Sequence, residues 1–354
     1  MKILLVKLSS LGDVVHALPV LHDIHAAIPD AEIDWVVEKG FAPLLAPLVG
    51  QPQGLHRVIA CEIRRWRRSF WASATHAQWR AFRSELQRTA YDAVIDLQGL
   101  TKSAIVARLA ELAPGGKRYA LANQTDGSGY EAPTRWVADT AIHIEPHIHA
   151  VQRSRELCAR ALGYAVNTPP DFGLQSLVAP PAAATPTVAF ITGTSRADKT
   201  WPLDHWIDLG RRLNAAGVQV GLPHGNEAEQ AIGDTIASAL NAGAVAAAPN
   251  AVVWPRLSLD ALTPALAACA GVIGVDSGPS HIAVALDLPH VQLYNFDTAW
   301  RTGPVVWAGH DRPARQVSVF AQPTPSVDAV WQAWLQCVGA PHAPTQAAPR
   351  GKPI

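Results

Sequence analysis

Two α/β domains in tandem, each a doubly wound parallel sheet, are predicted by three observations. Short apolar runs alternate with stretches of helical spacing along most of the 354 residues, the pattern restarts after a proline-rich interruption, and polar turns follow the apolar runs. Strands buried on both faces read as continuous apolar runs, and open α/β sheets place their ligands at the carboxyl ends of the strands. Function is therefore sought in the turns.

The first run, Ile3 to Val6, reads as a buried strand, and Val14 to Ile28 reads as one helix. Between them, Ser9-Ser10-Leu11-Gly12-Asp13 offers two hydroxyls, a glycine and one carboxylate at a strand end. Asp13 is the candidate for chemistry. An acid here either caps the next helix through its amides or faces the cleft while Ser9 or Ser10 supplies the cap.

Composition sets the outer limits. With 49% hydrophobic residues the chain can bury a large core, and a net charge of zero gives no whole-molecule attraction to nucleic acid. The halves differ: 19 basic and 16 acidic side chains up to Pro170, 10 and 13 after it. Arg57 to Arg88 holds eight arginines against Glu62 and Glu85, which calls for an anionic partner. Cys61, Cys158, Cys269 and Cys337 form no C-x-x-C pair, so a reduced, cytoplasmic protein without a zinc site or disulfide framework is expected. The opening MKILLV is cut short by Lys7 and Asp13, unlike a signal peptide, and no apolar run is long enough to span a bilayer.

Further along, strands are predicted at Glu32 to Val37, Val58 to Ala60 and Tyr91 to Leu97, with a helix at Trp79 to Ala90. Ile63 to Trp71 interleaves four arginines with large aromatics, which fits a solvated helix face with its tryptophans turned inward, or an anion site. After the strand at Tyr91, Gln98, Lys102 and Ser103 stand at a helix start suited to an anion. Gly115 to Gly129 reads as loop, and His143, His147 and His149 read as surface histidines without metal spacing. A helix at Val151 to Leu162 closes the half.

Residues 166–186 read as a proline-rich linker between a 1–165 domain and a 187–325 domain. The second half restarts with a strand at Thr187 to Ile191, a helix at Leu203 to Ala216 and a strand at Val218 to Leu222. Thr194, Ser195 and Lys199 follow its first strand as one cradle. Asp276-Ser277-Gly278-Pro279-Ser280-His281 follows the strand Gly271 to Val275 as another: Gly278 admits close backbone approach, and the amides of the new helix attract anions. Two such turns suggest a diphosphate between them. Glu227 or Glu229 could accept ribose hydroxyls, or simply open the helix that follows. Residues 326–340 form a final helix, for which a place against the N-terminal domain is open, and 341–354 a mobile tail. Neither G-x-G-x-x-G after a strand nor a P-loop sequence occurs, which disfavours nicotinamide and P-loop enzymes.

These motifs resemble the lipopolysaccharide heptosyltransferases of glycosyltransferase family 9. The likeness rests on KLSSLGDVVH at Lys7 to His16, DWVVE at Asp34 to Glu38, IRRWR at Ile63 to Arg67, YDAVIDLQGLTKS at Tyr91 to Ser103, DKTWP at Asp198 to Pro202 and DSGPSH at Asp276 to His281. Tyr294 to Asp297 departs from the tetrapeptide usual beside the donor. The resemblance implies a GT-B fold and inverting transfer of L-glycero-D-manno-heptose from an ADP-heptose donor to Kdo of Kdo2-lipid A, with no cofactor or metal. It implies Asp13 as general base and Thr194, Ser195, Lys199, Glu227, Asp276, Ser277, Gly278 and His281 as donor contacts. Acceptor contacts are expected at Ser10, Gly12, Arg64, Arg65, Arg67, Arg68, Gln98 and Lys102. The partners it implies are the two substrates and the anionic inner leaflet, on the cytoplasmic face of the inner membrane. A transferase acting on a later core acceptor, or a non-catalytic nucleotide-sugar binder, would share the donor features.

Overall fold

The computed structural model describes residues 1–68, 71–178, 185–244, 249–305 and 315–339. The tail expected at 341–354, and Pro180 and Pro181 of the linker, lie outside them.

Alternation of apolar strand and amphipathic helix yields two six-stranded parallel sheets. The first contains β1 (Lys2–Val6), β2 (Glu32–Glu38), β3 (Arg57–Cys61), β4 (Ala90–Asp96), β5 (Glu111–Leu121) and β6 (Thr140–Ile142), in the order β3-β2-β1-β4-β5-β6. The second contains β7 (Thr187–Ile191), β8 (Gln219–Leu222), β9 (Ala251–Val253), β10 (Gly271–Val275), β11 (His290–Tyr294) and β12 (Gln316–Phe320), in the order β12-β11-β10-β7-β8-β9. Both are the same winding: the first strand is flanked by the second on one side and the fourth on the other. A doubly wound sheet opens its ligand crevice where the winding reverses. That point lies between β1 and β4 in one half and between β7 and β10 in the other, so the four turns singled out above occupy the two switch points.

Side chains of β1 alternate between two layers. Ile3 and Leu5 join a core with Val14, Val15 and Ile24, whereas Leu4 and Val6 face Trp66 and Phe82. The first core runs on into the second half through Ile191, Leu266 and Ile282, so apolar packing links the two sheets. Helix Leu11–Ala17 lies against helix Gly278–Ala285 across that junction. Helix Ala150–Leu162 is fastened by the buried Arg155, which donates to both Asp23 oxygens at 2.7 Å.

Two expectations are corrected here, and one open point is decided. The helix predicted over Val14 to Ile28 is two helices, Leu11–Ala17 and Val20–Ala27, because Pro19 lacks the amide that would continue the ladder. The first part of the loop predicted at Gly115 to Gly129 is strand: β5 runs to Leu121, its register against β4 shifting between Tyr91 and Ala93. The two glycines there hide a strand, as bulges do. The place of the final helix, open from the sequence, is on the second sheet: in Val327–Cys337, Val330, Trp334 and Cys337 are buried among Val291 and Leu293. The apolar face of that sheet needs a covering layer, and this helix supplies it.

Candidate active site

The turn after β1 is held rigidly from behind. Gln98 Oε1 accepts from the amides of Leu8 and Ser9, both at 3.1 Å, and Lys102 Nζ donates to Ser9 Oγ at 2.8 Å. Buried Asp96 accepts from the Gln98 and Gly99 amides and from Ser103 Oγ, and burial pushes its carboxyl up to about 6. Ser10 is the N-cap of the next helix and Asp13 its N3 residue. Asp13 Oδ2 accepts from the Ser10 amide at 3.2 Å and from Ser10 Oγ at 2.8 Å, a capping-box arrangement. Its other oxygen lies 3.8 Å from Lys7 Nζ and 3.5 Å from Arg153 Nη2. Of the two readings of this acid the second holds: Ser10 is the cap, Asp13 bonds back to it, and its side chain remains 36% exposed to the cleft.

Electrostatics keep that carboxylate ionised. Burial alone would raise its pKa, but Lys7, Arg153 and the Ser10 hydrogen bond outweigh burial and hold it well below the usual range. Lys7 itself, buried and donating to the Leu97 carbonyl at 3.0 Å, is brought down to about 8 by burial.

Across the cleft, Asp276 accepts from Lys199 Nζ at 2.6 Å and from Thr302 Oγ1 at 3.2 Å, and His281 Nε2 lies 3.3 Å away. Burial would raise Asp276, yet His281 and Lys199 hold it low. The Lys199 turn is pinned by Asn295, whose Nδ2 donates to the carbonyls of Asp198 and Thr200. That is what the departure at Tyr294 to Asp297 does here. Thr194 Oγ1, Ser277 Oγ and His281 Nδ1 are buried and carry no hydrogen bond among the described residues. Buried polar atoms are ordinarily paired, and of these three residues Ser277 and His281 line the cleft.

The two walls meet over a cleft of about 220 Å³, lined from one half by Ser10, Gly12, Asp13, His16 and Arg153 and from the other by Ser195, Lys199, Asp276, Ser277, Gly278, His281 and Arg301. Contact between halves is close. A Cβ on Gly12 would lie 2.6 Å from the His281 ring, and one on Gly278 2.6 Å from Leu11.

Other expected residues fall elsewhere. Gln98 and Lys102 stand behind the turn; Lys102 and Arg67 line a separate pocket, and Arg64, Arg65 and Arg68 are exposed on the same short helix, Ile63–Arg68. Glu227 is exposed at the start of helix Glu227–Asn241, whereas the Glu229 carboxylate accepts from the Gly225 amide at 2.7 Å and packs on Gly193, where a Cβ would lie 2.4 Å from it. Of the two acids, Glu229 is the one beside the cradle.

Residues the sequence reading missed come from the histidine segment and from β11 onward. His149 is not a surface residue: its Nδ1 accepts the Val151 amide and its Nε2 donates to the Gly303 carbonyl at 2.9 Å, joining the two halves in the neutral form. Burial brings it down to about 4. His147 stacks on Trp300 at 3.7 Å between ring centroids. His16, between His149 and His281, is held well below its ordinary pKa by burial and by those two rings. Arg153 carried no local signal; its importance arises from packing alone. Among the described residues, no cluster of three His, Cys, Asp or Glu is placed to hold a metal ion.

Two Rossmann-like domains whose switch points face each other across one polar cleft define the GT-B fold. The model of glycosyltransferase family 9 (heptosyltransferase) matches residues 79–328. Lipopolysaccharide heptosyltransferase 1 of Pseudomonas aeruginosa is 39% identical over 306 residues, 83% of this chain and 78% of that protein. The Escherichia coli K12 protein of the same name is 37% identical over 298 residues, 83% of this chain and 88% of its own. The solved structure of E. coli heptosyltransferase WaaC with ADP matches with a TM-score of 0.80 at 33% identity, covering 94% of this chain and 98% of that one. This chain belongs to glycosyltransferase family 9, and its activity is heptose transfer in lipopolysaccharide core biosynthesis.

Proposed function

We propose that this enzyme transfers L-glycero-D-manno-heptose from ADP-heptose to Kdo of Kdo2-lipid A, with inversion at the anomeric carbon. The observation that carries the reading is the single cleft with Asp13 on one wall and Lys199, Ser277 and His281 on the other. Solved relatives titled as holding ADP and ADP-2-deoxy-2-fluoro heptose support an adenosine-diphosphate donor. In this reading the 187–325 half binds the donor and the 1–165 half the acceptor.

The donor diphosphate takes the cradle of Thr194, Ser195, Lys199, Ser277 and the amides opening helix Gly278–Ala285, a helix start that favours anions. Asp276 orients Lys199 and His281 through its two oxygens. Glu229, beside Gly193, contacts the ribose.

Chemistry then proceeds by displacement. A Kdo hydroxyl oxygen forms its bond to the anomeric carbon as the bond to the diphosphate breaks, and the electron pair leaves with ADP. Lys199 and the unpaired hydroxyls stabilise the charge that gathers there, the kind of interaction that contributes most when aimed at developing charge. Asp13 accepts the proton. A carboxylate held so acidic takes a proton only from an oxygen already made acidic by bond formation, which suits an oxocarbenium-like transition state. The exposed arginines of helix Ile63–Arg68 face the phosphates of the acceptor and the anionic inner leaflet, on the cytoplasmic face of the inner membrane. No helix among the described residues is long and apolar enough to cross a membrane.

The test is a reconstituted assay with ADP-heptose and Kdo2-lipid A. Expected are release of ADP, a product heavier by one heptose, and an inverted anomeric configuration by NMR. Turnover only on an already heptosylated core would assign a later step, and donor binding without ADP release would leave a nucleotide-sugar binder.

A further inference from the structure

The geometry points to a second binding site, an apolar pocket that takes an acyl chain of the glycolipid acceptor while the sugar reacts in the cleft. It deepens the acceptor assignment proposed above and rests on it. The pocket has a volume of about 600 Å³ and lies between helices Ile63–Arg68, Ser73–Leu86 and Thr101–Leu109. That is within the range of roughly 300–1,000 Å³ typical of ligand sites, which are lined mainly by apolar side chains with a few placed polar groups. Ile63, Trp66, Trp79, Leu100 and Ile105 supply the apolar lining, with Arg67 and Lys102 beside them.

Three features select the occupant. First, Trp66 stands against Trp79 edge to face at 5.5 Å, and both rings belong to a packed cluster with Phe82, so the wall is preformed. A preformed apolar wall spares the protein the cost of ordering when hydrocarbon fills it. Second, the neighbouring charge is cationic: Arg67 and Lys102 line the pocket and Arg64 is close enough to help depress the Lys102 pKa, after burial. Two acids face these cations and both are engaged: Glu131 by the Thr101 amide and hydroxyl, and Glu38, near Lys102, by the Arg64 amide at 3.3 Å. An apolar cavity edged with cations complements an amphiphile that carries phosphate next to hydrocarbon. Third, the pocket is wired to the reacting turn. Lys102 donates to Ser9 Oγ, and the next residue, Ser10, donates to Asp13. Lys102 thus belongs both to the pocket wall and to the support of the turn that carries Asp13.

Ile105, 49% exposed at the lip, provides the test because replacing it disturbs no core. Ile105→Glu should lower kcat/KM for the acylated acceptor by about tenfold or more and leave the fully deacylated, still phosphorylated acceptor unchanged, with Ile105→Leu restoring the wild-type ratio. Equal loss on both acceptors, or loss on neither, would overturn the site. In parallel, an acceptor with a photoreactive diazirine at the end of one chain should label residues 63–67, 75–79 or 100–105 of the full-length enzyme. Labelling confined to other parts of the chain overturns the proposal too. If wild-type enzyme turns over neither acceptor, the acceptor assignment fails, and the cross-link, which needs no turnover, decides the pocket on its own.

Discussion

The two switch points share a topology and differ in how their polar groups are used. Between β1 and β4 the donors and acceptors satisfy one another: Gln98 holds the Leu8 and Ser9 amides, Lys102 holds Ser9, Ser10 holds Asp13. Between β7 and β10 the scaffold is firm, through Asp276 and Asn295, but Thr194 Oγ1 and Ser277 Oγ have no partner among the described residues. One crevice is organised to hold a single carboxylate in place, and the other, in the donor reading proposed above, would receive a polar group from outside. On the proposed function the same fold would supply a preorganised reagent on one side and a binding cradle on the other, the difference lying in hydrogen bonding rather than in architecture.

Four substitutions would break or sharpen that contrast. Asp13→Asn keeps the size of the side chain and an oxygen that can accept from Ser10, so donor binding by titration should stay intact while turnover falls about 10²- to 10⁴-fold. Near-normal turnover would remove the reagent from the first crevice. Lys199→Ala should act on the donor side, lowering kcat/KM for the donor by about 10²-fold, and unchanged donor kinetics would sink the cradle. Gln98→Ala should strand two amides behind the turn and cost about 2 kcal/mol of stability in denaturant titrations, with donor affinity preserved. A loss of donor affinity there would mean that the crevices are not separable.

The smallest effect concerns the junction between halves. His149, near 6.5 when unfolded, is brought to about 4 by burial in the folded chain, so the unfolded state binds the extra proton first. Its contribution to stability is complete above pH 6.5 and is lost as pH falls toward 4. His149→Asn, which can still cap the helix at Val151, should flatten part of the decline in melting temperature across that window. Buried His290, also brought to about 4, should keep the remainder. An unaltered slope in the variant would mean that His149 does not titrate with unfolding.

Legibility followed locality. The turns at Ser9 to Asp13, Thr194 to Lys199 and Asp276 to His281 could be read because apolar strand, polar turn and helix start are consecutive in sequence, and a doubly wound sheet gives such turns a common place. Gln98 and Lys102 were rightly placed at a strand end, yet their side chains turn back to Ser9, about ninety positions away. The choice between Glu227 and Glu229 depends on which helical position meets Gly193. Pro19 and the bulge at Gly115 show the opposite case, where local chemistry was present in the letters and was read too coarsely.

By itself the sequence determined the repeated strand-helix alternation, the positions of the crevice turns and the chemical types of residue in them, because backbone preference and side-chain period are properties of neighbours along the chain. Only the tertiary structure decided that Arg153 would stand 3.5 Å from Asp13, that His149 would join Gly303, and that Leu11 would press on Gly278. Those pairings depend on how two folded halves dock. Docking is governed by the shape and polarity of surfaces assembled from distant segments, and no short window of sequence contains both sides of such a contact.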